Sequence, residues 1–385
     1  MKQYFYCVFT MFIALVTSSL KAQQPLKVAV FAPIYTDSAF DGNNYKLGNN
    51  NLPKTILPGL EFYNGVMLAV DSLKAEGKSV EVLFYDSKGS ESIYTIIRKP
   101  EFQNIAMIIA CFNNRNDVKP LADIALHRNI PIISETFPND GGVTDNPFFV
   151  LINTALKTHI EEIHKYVQRN YSTNNIVYVK RKGALEDMLY NIFSASNKKT
   201  AALPLKFKTI ELNDNFSSAD LNSQLDSVKQ NLVICGSLNE TFGVNLVKSI
   251  SSDKNYAATV VGMPTWDGLR ELDKSDCNGV TMVYTTSYNF PRNLPVIANI
   301  SQAYRSKLLA RPSDMVLKGY ESMYHFTSLL LAYPTDIINH LSDKAFKISN
   351  DFIIEPQKSA TDASKINYLE NKKIYFIKKL DGNYK

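Results

Sequence analysis

The sequence predicts an α/β protein built as two doubly wound parallel-sheet lobes. Three observations carry that prediction. Short runs rich in Val and Ile recur along the chain, amphipathic segments separate them, and the runs are too many for one compact domain. Nine runs stand out: 27–33 (KVAVFAP), 80–86 (VEVLFYD), 105–111 (IAMIIAC), 130–134 (IPIIS), 175–180 (NIVYVK), 207–212 (FKTIEL), 231–236 (NLVICG), 258–263 (ATVVGM) and 280–285 (VTMVYT). Most are near-continuously apolar and stop at a polar residue, Gly or Pro. A strand apolar on both faces is covered on both faces, which is the condition of a parallel sheet.

Helical patterns fill the intervals. Leu60, Tyr63, Met67, Val70 and Leu73 recur every three or four residues, and Gly77 is placed to stop that helix. Ile160, Ile163 and Val167 repeat the pattern over 157–170, and 322–332 is a further apolar helix ended by Pro334. Strand–helix alternation of this kind requires right-handed crossovers. A turn-rich stretch at 138–147 (PNDGGVTDNP) precedes a new strand–helix series, so the chain divides near 149–154. The alternation breaks again at 285–295. The expected organisation is a discontinuous first lobe (25–150 plus 286–333), a second lobe (151–285) and a C-terminal extension (334–385) packing on the lobes. Within the extension, NKKIYFIKKLDGNYK reads as a strand followed by an Asp381-Gly382 turn. The 35–58 stretch is a long Asn- and Gly-rich loop after the first strand.

Composition limits the function classes. Of 385 residues, 45% are hydrophobic and 21% charged, ordinary values for a globular chain with real cores. The net charge of +5 is spread along the sequence without a basic block, which excludes a nucleic-acid partner. At the N-terminus, Lys2 precedes an apolar stretch at 5–20. This is the pattern of a signal peptide, with cleavage expected after Ala22 or alternatively after Ser19. Loss of 1–22 removes Lys2 and Lys21 and no acid, leaving +3, and places the mature chain in the periplasm. Cys7 falls in the leader; Cys111, Cys235 and Cys277 remain, an odd number without a C-x-x-C pair.

Enzymatic and cofactor motifs are missing. No G-x-G-x-x-G follows the first strand, no Walker lysine loop is present, and no G-x-S-x-G elbow occurs. His159 and His164 are five apart and do not share the helical face that a zinc pair needs. The chain is therefore expected to be a non-enzyme with no cofactor and no metal.

Three segments resemble the type I periplasmic-binding proteins. GLEFYNGVMLAVDSLKAEGKSVEVLFYDSKGS (59–90) is similar to the first helix and second strand of that fold. IAMIIACFNNRNDVKPLADIALHRNIPIIS (105–134) is similar to its third strand, helix and fourth strand, and SDMVLKGYESMYHFTSLLLA (313–332) to its late helix. The likeness is to the amino-acid ABC-transporter substrate-binding subgroup, some of whose relatives carry a LysM module that has no counterpart here. It implies two lobes joined by three crossovers, a small-molecule ligand (amino acid, peptide or similar) held between them by hinge closure, and a membrane partner such as an ABC-transporter permease. Branched-chain amino-acid binders hold their ligand with a Ser-rich loop after the third strand and a Gly-Ala-Thr-like loop after the fourth. Here those positions hold Phe112, Asn113, Asn114 and Arg115, and Glu135, Thr136, Phe137 and Pro138. The alternative is a cell-envelope structural or interaction protein that keeps the fold without small-ligand transport.

In open parallel sheets, ligands sit beyond the carboxyl ends of the strands. That rule selects Tyr35, Asn113, Asn114, Arg115, Ser134, Glu135 and Thr136 in the first lobe, and Ser237, Asn239 and Trp266 in the second. The wider stretch 264–267 and Thr36, Asp86, Lys180 and Arg181 lie at the same strand ends. Each has a structural reading beside the functional one. Arg115 is either an anion clamp or a solvated loop residue. Thr136, Ser237 and Asn239 suit helix capping, and Asn113 and Asn114 suit turns. Trp266 either stacks on a ligand at the cleft rim or packs on its own lobe.

Overall fold

The computed structural model describes residues 25–48 and 52–384; the expected leader lies outside them. The first sheet has seven strands. Its parallel body is formed by β1 (Leu26–Ala32), β2 (Val80–Asp86), β3 (Met107–Ala110), β4 (Ile132–Ser134) and β5 (Phe149–Leu151). The second is formed by β6 (Asn175–Arg181), β7 (Lys208–Leu212), β8 (Asn231–Gly236), β9 (Ala258–Val261) and β10 (Thr281–Thr286). The C-terminal segment then completes both. β11 (Ile354–Lys358) and β12 (Ile366–Asn371) extend the first sheet to the order β11-β12-β5-β4-β3-β1-β2. β13 (Tyr375–Leu380) and β14 (Asn383–Tyr384) extend the second to β14-β13-β10-β9-β8-β6-β7. β12 joins β5 in parallel, while β13 lies antiparallel on β10.

Alternation along β1 shows why these runs are strands. Val28, Val30 and Ala32 enter the core on one face of the sheet, and Ala29 and Phe31 enter the core on the other. The first face is covered by α1 (Leu57–Ala75), α6 (Pro295–Leu308) and α7 (Asp314–Ala332), and the second by α2 (Val118–Arg128). In the second lobe, α3 (Leu156–Tyr171) and α4 (Ala184–Lys199) cover one face and α5 (Glu240–Ser252) the other. All nine sequence-read strands are present. Six strands were not in that reading: β5, β11, β12, the two-residue β14, and a small antiparallel pair, Phe40–Asp41 with Asn44–Tyr45, inside the stretch expected to be loop. β5 is only three residues long, and β11 carries Pro356, tolerated because this is an edge strand.

α1 and α7 pack backbone to backbone. A Cβ on Gly65 would stand 2.0 Å from the Val316 carbonyl oxygen, and one on Gly319 would stand 2.3 Å from that of Phe62. Those glycines let α7 lie close enough to α1 to bring Lys318 to the lobe boundary.

Three stretches of chain pass between the sheets, at 152–155, 287–294 and 372–374, and polar groups knot them together. Thr154 N donates to Ser287 Oγ at 3.0 Å and its Oγ1 to the Asn371 carbonyl at 2.9 Å. Ser287 Oγ in turn donates to Asn153 Oδ1 at 3.1 Å. The buried Glu370 carboxylate accepts from Ala155 N (3.2 Å), Thr158 Oγ1 (2.7 Å) and Lys372 Nζ (2.7 Å).

Cys111, Cys235 and Cys277 are buried and unpaired. Burial pushes the first two thiols up to about 12 and the third to about 11. Among the described residues no helix is long and apolar enough to cross a membrane.

Two outcomes follow from the packing. Helix propensity alone favours Ala over Gly by about 1 kcal/mol, but at Gly319 the carbonyl clash reverses the sign. Gly319→Ala is expected to lose about 3 kcal/mol in urea denaturation, the upper range for overpacking. The mature native protein is expected to leave all three cysteines unreacted with Ellman's reagent at pH 8, and denaturant to release all three.

Candidate functional site

A cavity of about 570 Å³ opens between the lobes, at the carboxyl ends of both sheets. The first lobe contributes Pro138 and Asn139 from the loop after β4, and Lys318 from α7. The crossovers supply the floor: Asn153, Thr154, Ser287 and Tyr288. The second lobe contributes Leu156 and His159 on α3, Met188 on α4, Leu238 after β8, and Pro264, Thr265 and Asp267 after β9.

The polar groups differ in how much bonding capacity they keep. His159 is committed: Nδ1 pairs with Thr285 Oγ1 at 3.0 Å, and Nε2 faces Ser287 Oγ at 3.4 Å. Burial drives its pKa down to about 3, so the ring is neutral and fixed in the floor. Asn153 is equally committed, donating to the Thr136 carbonyl at 2.6 Å and accepting from Ser287. Three groups retain capacity. Lys318 lies over the Tyr288 ring, with Nζ 4.1 Å from its centroid, and has no ion-pair partner among the described residues. Asp267 accepts one hydrogen bond, from Thr286 Oγ1 at 3.0 Å. Its side chain opens on the cleft, yet crowding by protein raises its pKa, against the opposing pull of Lys318. Thr265 Oγ1 has no partner at all among the described residues. Beside these groups runs an apolar strip of Leu156, Met188 and Leu238, in which Met188 is left 44% exposed. The cleft thus offers a cation, an anion and an apolar wall, while the unpartnered Thr265 hydroxyl is closed off behind its surface.

None of the ten residues selected from sequence lines this cavity, and the structure gives most of them internal duties. Asp86 at the end of β2 accepts from the backbone N–H groups of Ile34 (2.9 Å), Tyr35 (3.2 Å) and Thr36 (2.7 Å). It thereby holds Tyr35 in a left-handed conformation at φ 57°. The Tyr35 hydroxyl accepts from Asn113 Nδ2 at 2.8 Å, so these two residues do meet at the first sheet's edge. Asn114 caps the turn that leads into α2. Arg115 donates to the Gly141 carbonyl at 3.0 Å and braces the loop after β4. Thr136 donates to the Phe112 carbonyl at 2.7 Å, which replaces the expected capping role. Asn239 caps α5, accepting from Phe242 N at 2.8 Å. Ser237 donates to the buried Glu186 at 2.8 Å. Lys180 pairs with Asp187 and Glu211, and Arg181 with Asp214 and Glu186.

Trp266 corrects the rim reading. It is 1% exposed and packed in the second lobe, because Gly262 and Gly243 leave it room; a Cβ on Gly262 would stand 2.1 Å from the indole. Ser134 and Glu135 are also buried, at 0% and 1% exposure. Glu135 accepts from the Ser322 hydroxyl, while its carbonyl accepts from the Tyr288 hydroxyl. Burial pushes its carboxyl up to about 7, with the Ser322 bond and Lys318 pulling the other way.

Sequence reasoning selected the stretch containing Pro264, Thr265 and Asp267, but it missed Lys318, His159 and Met188. These three stand on helices, where the strand-end rule does not reach. Lys318 carried one signal: it is a cation inside the apolar pattern of α7, directly before the glycine that lets the helix approach α1.

No protein-family model and no curated protein matches the chain. Solved structures do. One, from Rhodospirillum rubrum and assigned to a branched-chain amino acid ABC transporter, aligns with a TM-score of 0.69 at 12% identity, over 94% of this chain and 99% of that one. An ABC transporter substrate-binding protein from Desulfitobacterium hafniense, in complex with Leu, aligns at 0.55 and 12% identity, over 94% and 99%. The branched-chain amino acid transporter substrate binding protein of Streptococcus pneumoniae, in complex with isoleucine, aligns at 0.52 and 14%, over 94% and 98%. The fold is that of the type I periplasmic-binding proteins, over nearly the whole chain.

Glu135 gives a pH test of this buried first-lobe wall. A carboxyl whose pKa is raised on folding costs nothing below its ordinary value of 4.5, and costs progressively more as pH rises through about 7. Glu135→Gln keeps the shape and removes the ionisation. Its stability relative to native is expected to rise between pH 4 and pH 8 by ~3 kcal/mol, read from urea midpoints at both pH values.

Proposed function

We propose that this chain is an exported solute-binding protein whose lobes close on a small zwitterionic ligand, an amino acid or short peptide, and present it to a membrane partner such as an ABC-transporter permease. The observation that carries the reading is the cleft itself. Lys318 and Asp267, opposite in sign and not paired with each other, face a common space beside an apolar strip. Lys318 is placed to take a carboxylate, Asp267 an ammonium, and Leu156, Met188 and Leu238 an apolar side chain. Neighbours of this fold hold Leu and isoleucine, ligands of that chemistry.

The action is hinge closure. Ligand stabilises the closed arrangement through contacts made with both lobes at once, and the three crossovers absorb the rotation. No proton transfer is required: the histidine on the floor is neutral and already bonded on both nitrogens. The apolar N-terminus at 5–20 supports export as the route to a periplasmic location. A second reading, an envelope interaction protein, is favoured by one observation: the loops after β3 and β4 spend their side-chain hydrogen bonds on the protein itself.

A thermal-shift screen of the mature chain against amino acids, short peptides, sugars and muropeptides separates the two. A zwitterionic ligand at a hundred times its Kd is expected to add about 2.7 kcal/mol of stability. Lys318→Met is expected to weaken that ligand at least about tenfold by calorimetry. Silence across the screen would favour the interaction role.

A further inference from the structure

The cleft does not end at Asp267. Beyond it, a second cavity of about 640 Å³ lies between the crossover 287–294, the start of α7 and the strands added by the C-terminal segment. The two cavities share Asp267, Thr286 and Tyr288, so the Thr286–Asp267 hydrogen bond is a partition between two compartments of one groove. Their linings differ. The second compartment is walled by five aromatic rings: Tyr284, Tyr288, Phe290, Phe376 and Tyr384. Tyr288 and Phe290 stack at 6.1 Å and 13°. Phe376 is backed by Tyr166 at 4.2 Å and 14°, which holds its ring in place. Tyr384 is 69% exposed at the mouth. At the rim, Arg292 is neutralised by Asp314.

Two features mark this bay as a binding compartment. Apolar aromatic surface left beside water is unfavourable, and a ligand that covers it recovers that cost. In addition, Tyr284 is 1% exposed and its hydroxyl has no hydrogen-bond partner among the described residues; Tyr384 stands beside it without forming one. A buried, unpaired hydroxyl is costly, and a ligand with a polar edge relieves that cost. Aromatic walls also favour a ring over an aliphatic chain, through edge-to-face and offset contacts.

We propose that the bay is a subsite for a planar aromatic ring with a polar edge. Resting on the solute-binding reading, this assigns the ligand as an α-amino compound whose ring lies next to its ammonium: a short peptide with an aromatic N-terminal residue. The ammonium sits at the partition on Asp267, the ring enters the bay, and the remainder runs back to the apolar strip and Lys318. The volume agrees. Either compartment alone exceeds the space of one amino acid, and both are contiguous at the carboxylate that binds the N-terminus.

Calorimetry with L-tyrosyl-L-leucine, L-alanyl-L-leucine and a disaccharide tests the assignment. The tyrosyl peptide is expected to bind roughly tenfold more tightly than the alanyl peptide, with no binding of the disaccharide. Asn293→Trp places a bulky ring at the bay's exposed rim, and Tyr384→Ala removes an exposed wall. Each should erase the tyrosyl advantage and leave alanyl-leucine binding and the unliganded melting temperature unchanged. Equal affinity for the two peptides, or an advantage that survives Asn293→Trp, overturns the aromatic subsite and leaves the solute-binding reading standing. Failure of both peptides overturns both; binding of the disaccharide alone reassigns the bay to sugars and overturns this proposal.

Discussion

The knot of hydrogen bonds where three chain passages cross between the lobes is the constraint on which the rest depends. Thr154, Ser287 and Asn371 tie the passages to one another, and Glu370 gathers the start of α3 and Lys372 onto one buried carboxylate. A buried charge is tolerated only when its lone pairs are engaged, and here they are. The knot ties the passages, and through them the two lobes, to one another. His159 belongs to the same region: bonded to Thr285 and kept neutral, it gives the cleft a floor without adding a cation that would compete with a ligand's ammonium for Asp267.

The cleft walls depend on close approach elsewhere. Gly65 and Gly319 let two helices touch through backbone, and that contact sets where Lys318 stands. Gly262 and Gly243 admit Trp266 into the second lobe and shape the loop that carries Thr265 and Asp267. Both pairs act by the absence of a side chain, at positions remote in sequence from the groups they place. The charges facing the cleft are therefore set by steric permission, while some charges on the outer surface are paired within one helix, as in Lys119–Asp123 on α2 and Lys165–Glu162 on α3.

The architecture was legible in the sequence because buried parallel strands are continuous apolar runs, and each of the nine runs became a strand. β5 escaped because three residues carry no periodicity. β11 and β12 escaped because edge and near-edge strands are polar on one side: residues such as Glu355, Gln357 and Asn367 look like loop. The site was much less legible. The strand-end rule found the right side of both sheets and the stretch that holds Asp267. It could not tell that Asn114, Thr136 and Asn239 would be spent on caps and loop braces, since a cap and a ligand contact draw on the same residue types. Nor could it find Lys318, whose position is a consequence of helix packing, or the aromatic bay, assembled from the crossover and the last strands of the chain.

The C-terminal segment contributes two strands to each sheet, and that arrangement governs the order of assembly. Until 354–384 is available, β5 and β10 are open edges, neither core is closed, and neither lobe can reach its final form. Each sheet is thus finished by the same short segment, so the two lobes share one closing piece.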